Sequence, residues 1–244
     1  MMRSSTSCDT LRCNKSTRRR RSTSFSLQCG RQQPKPVAKA EEEVKGEEWC
    51  LLAKGLRAAF FCSSEVTSGH PAAAYLAARD PIGLRDELLD VGRWKAHEYT
   101  RTMLLDGDGF SVMLLSWAPG CSSPVHAHSC AESLVASNCF MLVLEGTLSE
   151  TVYTEDAILA DGRSVDGRLG KTRALEAGKV AYINDQLGLH KVGNPTGARA
   201  VSLHVYAPGW KRAPLYEERL FHEVMPAVDA GGAEIDDLAG WGDF

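Results

Sequence analysis

At 244 residues with a formal net charge of −3, the chain is long enough to bury a substantial core in one domain, but its charge is unevenly spread. Residues 1–40 hold ten of the 28 Lys and Arg and, in Asp9, one of the 31 acids, so residues 41–244 form an acidic body with no footprint for nucleic acid. The eight cysteines make no Cys-x-x-Cys pair and no disulfide framework, and no apolar run is long enough to span a membrane, which points to a reducing intracellular compartment and no membrane partner.

Residues 1–40 are rich in Ser, Thr and Arg, include Arg18-Arg19-Arg20-Arg21 and have little to bury, so a disordered tail is expected. The same composition, basic and poor in acid, fits an organellar transit peptide. A cytoplasmic protein is expected, with import into a mitochondrion or plastid as the alternative. Residues 41–244 are expected to form a single domain. Glu41 to about Phe61 reads as a helix, with acids crowding its start and Trp49, Leu52, Leu56 and Phe60 at helical spacing. Pro71–Ala78 begins a second helix. Pro81 and Gly83 interrupt it, and a third runs over Leu84–Leu89.

From Lys95 the period changes. Tyr99, Arg101 and Met103 alternate with Thr100 and Thr102, and Asp106-Gly107-Asp108-Gly109 marks a hairpin. Phe110–Trp117, Phe140–Leu144, Thr147–Tyr153, Val180–Ile183 and Ala200–Tyr206 read as further strands around a polar excursion near Asp161 and Asp166. Short strands with regular turn signals argue a sandwich or a barrel. In the last of them Val201, Leu203 and Val205 face one way and Ser202, His204 and Tyr206 the other; the second face meets either water or a pocket.

The stretch with most chemistry is Gly120-Cys121-Ser122-Ser123-Pro124-Val125-His126-Ala127-His128. Histidines at i and i+2 of a strand point to one side, and neutral imidazole is a common ligand of transition metals. Gly120 stands six residues before His126, Cys139 seven before Gly146, and a second block carries Gly178, Gly188, His190 and Asn194. This spacing resembles the two-motif signature of the cupin superfamily, with one residue rather than two between Gly188 and His190. Tyr99-Thr100-Arg101, Tyr182-Ile183-Asn184-Asp185 before Gly188-Leu189-His190, and Ser202-Leu203-His204-Val205-Tyr206 narrow the resemblance to the cysteine dioxygenase family, over roughly residues 75 to 226.

The resemblance implies a mainly β, cupin-type small antiparallel barrel, jelly-roll-like, with N-terminal helices packed outside. It also implies Fe(II) on His126, His128 and His190, with oxidation of the L-cysteine thiol by O2 to cysteine sulfinate; separately, a monomer is expected. Three neutral imidazoles without a carboxylate leave a positive site suited to a thiolate. Arg101 would clamp the substrate carboxylate with Tyr99 beside it. Tyr206, His204 and Ser202 would handle protons, and Cys139 would stand where family members join a cysteine to the tyrosine through a thioether. The family also leads us to expect a cis bond at Ala207–Pro208.

One departure opens a second reading. Ten residues, 129–138, separate His128 from Cys139, and His126-Ala127-His128-Ser129-Cys130-Ala131-Glu132 fits the ordinary cupin spacing with Glu132 as a fourth ligand. The alternatives are therefore a dioxygenase of another small thiol, such as 3-mercaptopropionate, and a non-catalytic metal-binding cupin carrying Glu132 on its metal. His70, His97 and His222 show no partner pattern and read as surface or core residues.

Overall fold

A computed structural model describes residues 44, 46–129, 136–209 and 214–220. The basic tail, Cys130, Glu132, Leu134, Val135 and His222 lie outside the described residues, so the fourth-ligand alternative at Glu132 does too. None of the described helices is long and apolar enough to cross a membrane.

Among the described residues three helices precede the strands: α1 (Glu47–Cys62), α2 (Pro71–Ala77) and α3 (Pro81–Leu88). The first begins later than the run of acids suggests. Gly46 is its N-cap, in extended backbone, and has no side chain with which to cap. Glu87 of α3 does this instead, accepting from the backbone N–H of Glu48 at 3.1 Å and of Trp49 at 2.8 Å. The third helix corrects another expectation. Pro81 does not interrupt a helix but opens one, because the first helical turn needs no N–H there, and Asp80 caps it by accepting from Ile82 N–H. His70 is buried as the N-cap of α2, accepting from Ala72 N–H.

The strands form two sheets. One orders β1 (Tyr99–Gly107), β2 (Phe110–Trp117), β10 (Ala200–Ala207), β4 (Asn138–Glu145) and β8 (Val180–Ile183) as β1-β2-β10-β4-β8, all antiparallel. The other contains β3 (Val125–His126), β5 (Thr147–Tyr153), β6 (Ser164–Asp166), β7 (Lys171–Glu176), β9 (Leu189–Gly193) and β11 (Leu215–Arg219) in the order β6-β11-β3-β9-β5-β7. Its β6–β11 pair is parallel. This is the mainly β, cupin-type architecture expected, with the helices outside. Strands β6, β7, β9 and β11 have too few alternating apolar residues to stand out in the sequence; Lys171–Glu176 exposes all but Leu175.

The first sheet is covered on both faces, which accounts for its nearly unbroken apolar strands. Its outer face (Leu104, Phe110, Val112, Leu114, Phe140, Leu142, Val201, Leu203, Val205) packs under Trp49, Leu52, Leu56, Leu76, Leu84 and Leu88 of the helices. Its inner face (Met113, Leu115, Trp117, Cys139, Met141, Tyr206) meets Leu148, Leu175 and Val192 of the second sheet. The polar face of Ala200–Tyr206 therefore looks into the molecule and not into water. Leu52, fully buried beneath this layer, tests it: Leu52→Ala should cost about 2–5 kcal/mol of unfolding free energy in a denaturant titration.

Two glycines of the motifs have local reasons. Gly146 turns between β4 and β5 at φ +77, and a Cβ there would come within 2.9 Å of the Arg199 carbonyl oxygen. Gly188 has φ +132, and a Cβ would lie 2.3 Å from the Tyr153 carbonyl oxygen, so the turn before His190 admits no larger residue. The Ala207–Pro208 bond is cis, as expected.

Candidate metal centre

Strand β3 is only two residues long, so His126 lies on a strand and His128 in the bend beyond it. The i, i+2 spacing still brings both inward, because separate partners hold the backbone extended. Ala127 N–H donates to Pro214 O at 3.1 Å, and His128 N–H donates to the Asp185 carboxylate from the β8–β9 turn. His126 sits directly opposite His190 in the antiparallel pairing of β3 with β9. All three imidazoles are buried, each offering a nitrogen within 4.8 Å of the others. The ring centroids are 4.5 Å apart for His126–His190, 4.7 Å for His128–His190 and 5.3 Å for His126–His128.

The outer nitrogens define which face is offered inward. His126 Nδ1 lies 3.0 Å from Pro124 O and His190 Nδ1 2.9 Å from Glu150 Oε1, so each Nδ1 donates its proton outward. The two Nε2 atoms are then left 3.1 Å apart, facing each other. Burial, then the neighbouring His190, drive His126 down to about 3, and burial likewise lowers His128. Lone pairs so placed need a cation between them, either a shared proton or a metal ion. The donor set fits a divalent metal held by His126, His128 and His190; among the described residues no carboxylate or thiolate joins the cluster.

Glu150 escaped the sequence reading. His126, His190, Glu150 and Arg173 run across four adjacent strands, β3, β9, β5 and β7. Glu150 sits opposite Arg173, and Val152, two residues on, opposite His190. The Arg173 guanidinium donates through two nitrogens to Glu150 Oε2, Nε at 2.8 Å. Burial pushes the Glu150 carboxyl up, but the His190 hydrogen bond and Arg173 outweigh it, and it stays below its ordinary range. The available signal was an acid at the inward-facing position of an alternating strand, two residues from Leu148. Glu150→Gln keeps the shape and loses the charge on His190. It should weaken metal retention about 10- to 100-fold, measured as metal remaining after competition with a chelator.

Of the remaining candidates, Tyr99, Arg101, His204 and Tyr206 line one small pocket together with His126 and His190. Arg101 Nη2 donates to Tyr99 Oη at 2.6 Å, with the guanidinium carbon 5.2 Å from the Tyr99 ring centre. Tyr206, His204 and Ser202 form a line: His204 Nδ1 is 3.3 Å from Tyr206 Oη, and His204 Nε2 is 2.9 Å from Ser202 Oγ. Burial lowers His204 and raises Tyr206, keeping the imidazole neutral and the phenol protonated.

Cys139 is the register partner of Tyr206 across β4 and β10, hydrogen-bonded to the phenol, with its sulfur 3.8 Å from His204 Nδ1. Its thiol is pushed well up by burial and by Glu150. The excursion that precedes it is closed at its base, where Ser129 bridges Ala136 and Ser137 N–H donates to His128 O at 3.0 Å.

The sequence model of the family described as cysteine dioxygenase type I matches residues 86–219. Curated relatives named cysteine dioxygenase type 1 include one from Danio rerio, 35% identical over 133 residues (53% of this chain, 61% of that protein), and one from Homo sapiens, 33% identical over 133 residues (54% and 62%). The chain thus covers about three fifths of the length of those relatives. Among solved structures, a Klebsiella pneumoniae protein with a double-stranded β-helix domain superposes with a TM-score of 0.41 at 18% identity, covering 53% of this chain and 94% of that one.

Proposed function

The chain belongs to the cysteine dioxygenase type I family, and on that premise we propose that it oxidises the thiol of free L-cysteine with O2 to cysteine sulfinate, using Fe(II) on His126, His128 and His190. The reaction needs no outside reductant: both oxygen atoms of O2 pass to sulfur, and the four electrons lost by sulfur reduce O2. The observation that carries this reading is that Arg101 lines one small pocket with His126 and His190, two of the three clustered and buried imidazoles.

Iron bound there would supply a positive centre that favours the thiolate and activates O2. The other steps belong to the chain. Arg101 presents a planar fork to the carboxylate, steadied by the Tyr99 hydroxyl, and so orients the thiol towards the histidines. The apolar wall of Leu115 and Val192 excludes water beside it. Tyr206 holds a phenol proton at the wall of the pocket, and His204 backed by Ser202 fixes that phenol and passes protons to it. Cys139 packs against the phenol and limits its movement, and a thioether between them would limit it further.

Oxygen uptake by the iron-loaded full chain tests the reading. Free cysteine should consume one O2 per sulfinate formed. Turnover of 3-mercaptopropionate without cysteine would move the substrate to that thiol, and no uptake with either would leave a metal-binding protein without this activity.

A further inference from the structure

Trp117 stands between the two halves of the site. In the order β1-β2-β10 it lies opposite Tyr99 on one side and Ala200 on the other. Its ring stacks on Tyr99 at 4.9 Å between centres with 18° between planes, which seats the phenol that holds Arg101. Its Nε1–H donates at 2.9 Å to Ser202 Oγ, two residues along β10 from Ala200. Trp117 and Ser202 are both almost wholly buried, so water does not compete for these groups.

An indole N–H can only donate, so Ser202 Oγ must accept from it. The serine's own proton is then turned away from Trp117. The partner facing it is His204 Nε2, at 2.9 Å. A neutral imidazole that accepts at Nε2 carries its proton on Nδ1, and Nδ1 faces Tyr206 Oη at 3.3 Å. The phenol oxygen then accepts from His204, and the phenol's own proton points towards Cys139 and the cavity.

We propose that Trp117 is a positioning residue that joins the carboxylate clamp to the proton-handling line: its ring seats Tyr99 under Arg101, and its N–H, through Ser202, places the His204 proton on Nδ1. The inference rests on the cysteine-oxidising reading for its kinetic consequence, but the proton placement can be measured without turnover.

The test compares wild type, Trp117→Phe and Trp117→Leu as full chains. Loaded with zinc and labelled with 15N-histidine, wild type should show His204 protonated at Nδ1, and Trp117→Phe should shift it towards Nε2. Loaded with iron, Trp117→Phe keeps a flat ring under Tyr99, so KM for cysteine should stay within about twofold while kcat falls about tenfold. Trp117→Leu loses the stacking as well and should also raise KM.

Nε2 protonation in wild type would overturn the proposal, as would an unchanged tautomer in Trp117→Phe. So would KM and kcat moving together in both variants in step with lost thermal stability, as expected of a tryptophan that only fills space. A wild type that fails to oxidise cysteine yet shows the Nδ1 proton, displaced in Trp117→Phe, would remove the cysteine reading and leave the placement standing.

Discussion

His190→Ala is expected to leave the protein with metal at background level and no thiol oxidation. Each of the three imidazoles supplies one ligand atom, and among the described residues nothing else in the cluster can replace one. Loss of a residue behind a ligand already weakens binding about 10- to 100-fold, so loss of a ligand itself should exceed that. His190 is the most informative of the three because two features meet on it. Its Nε2 faces His126 Nε2 at 3.1 Å, and its Nδ1 is held by Glu150 at 2.9 Å. Removing it leaves the Glu150 carboxylate buried with Arg173 as its charged partner, so a fall in stability should accompany the loss of metal. His126→Ala takes away an imidazole whose outer partner is a backbone carbonyl, and should lose metal with a smaller effect on folding. Metal content after dialysis and a thermal melt on both variants check the pair. Full metal occupancy in His190→Ala would move the centre elsewhere.

Much of this site was legible in the sequence because its residues sit at spacings that strand geometry forces. His204 and Tyr206 follow Ser202 by twos on β10, so one face carries all three whatever surrounds it. What alternation alone cannot say is which side holds water. Val201, Leu203 and Val205 lie under helices that come from more than a hundred residues earlier. Glu150 stayed hidden for the same kind of reason: its partners, Arg173 and His190, are set by the pairing of β5 with β7 and β9, and β7 looks like a polar loop. The start of α1 was misplaced because its cap is Glu87, a residue of another helix, while local pattern reads only neighbours in sequence. Trp117 read only as the end of a strand, and it is buried; its N–H became informative only once Ser202 was placed beside it.

Arg101→Gln is expected to cost about 2–4 kcal/mol in kcat/KM for cysteine, or roughly 30- to 1,000-fold, and far less for cysteamine. Glutamine keeps much of the length and one amide donor group but loses the charge and the fork that meets both oxygens of a carboxylate. The guanidinium is already oriented, held by the Tyr99 hydroxyl at 2.6 Å and backed by the Tyr99 ring, which itself stacks on Trp117 at 4.9 Å. Little side-chain entropy then remains to be lost on binding, so the arginine's contribution should be near the upper part of what a charge-assisted pair supplies. Cysteamine has the same thiol and amine without the carboxylate, so whatever it loses reports disturbance of the cavity and not of the clamp. Arg101→Lys separates charge from geometry: it keeps the positive charge and loses the planar pair of donors, and should fall between wild type and Arg101→Gln. Steady-state kinetics with both thiols on the three proteins measure the difference. Equal losses for cysteine and cysteamine would show that Arg101 shapes the cavity or its electrostatics without gripping the substrate, and the carboxylate would then need another partner among the groups around the cavity.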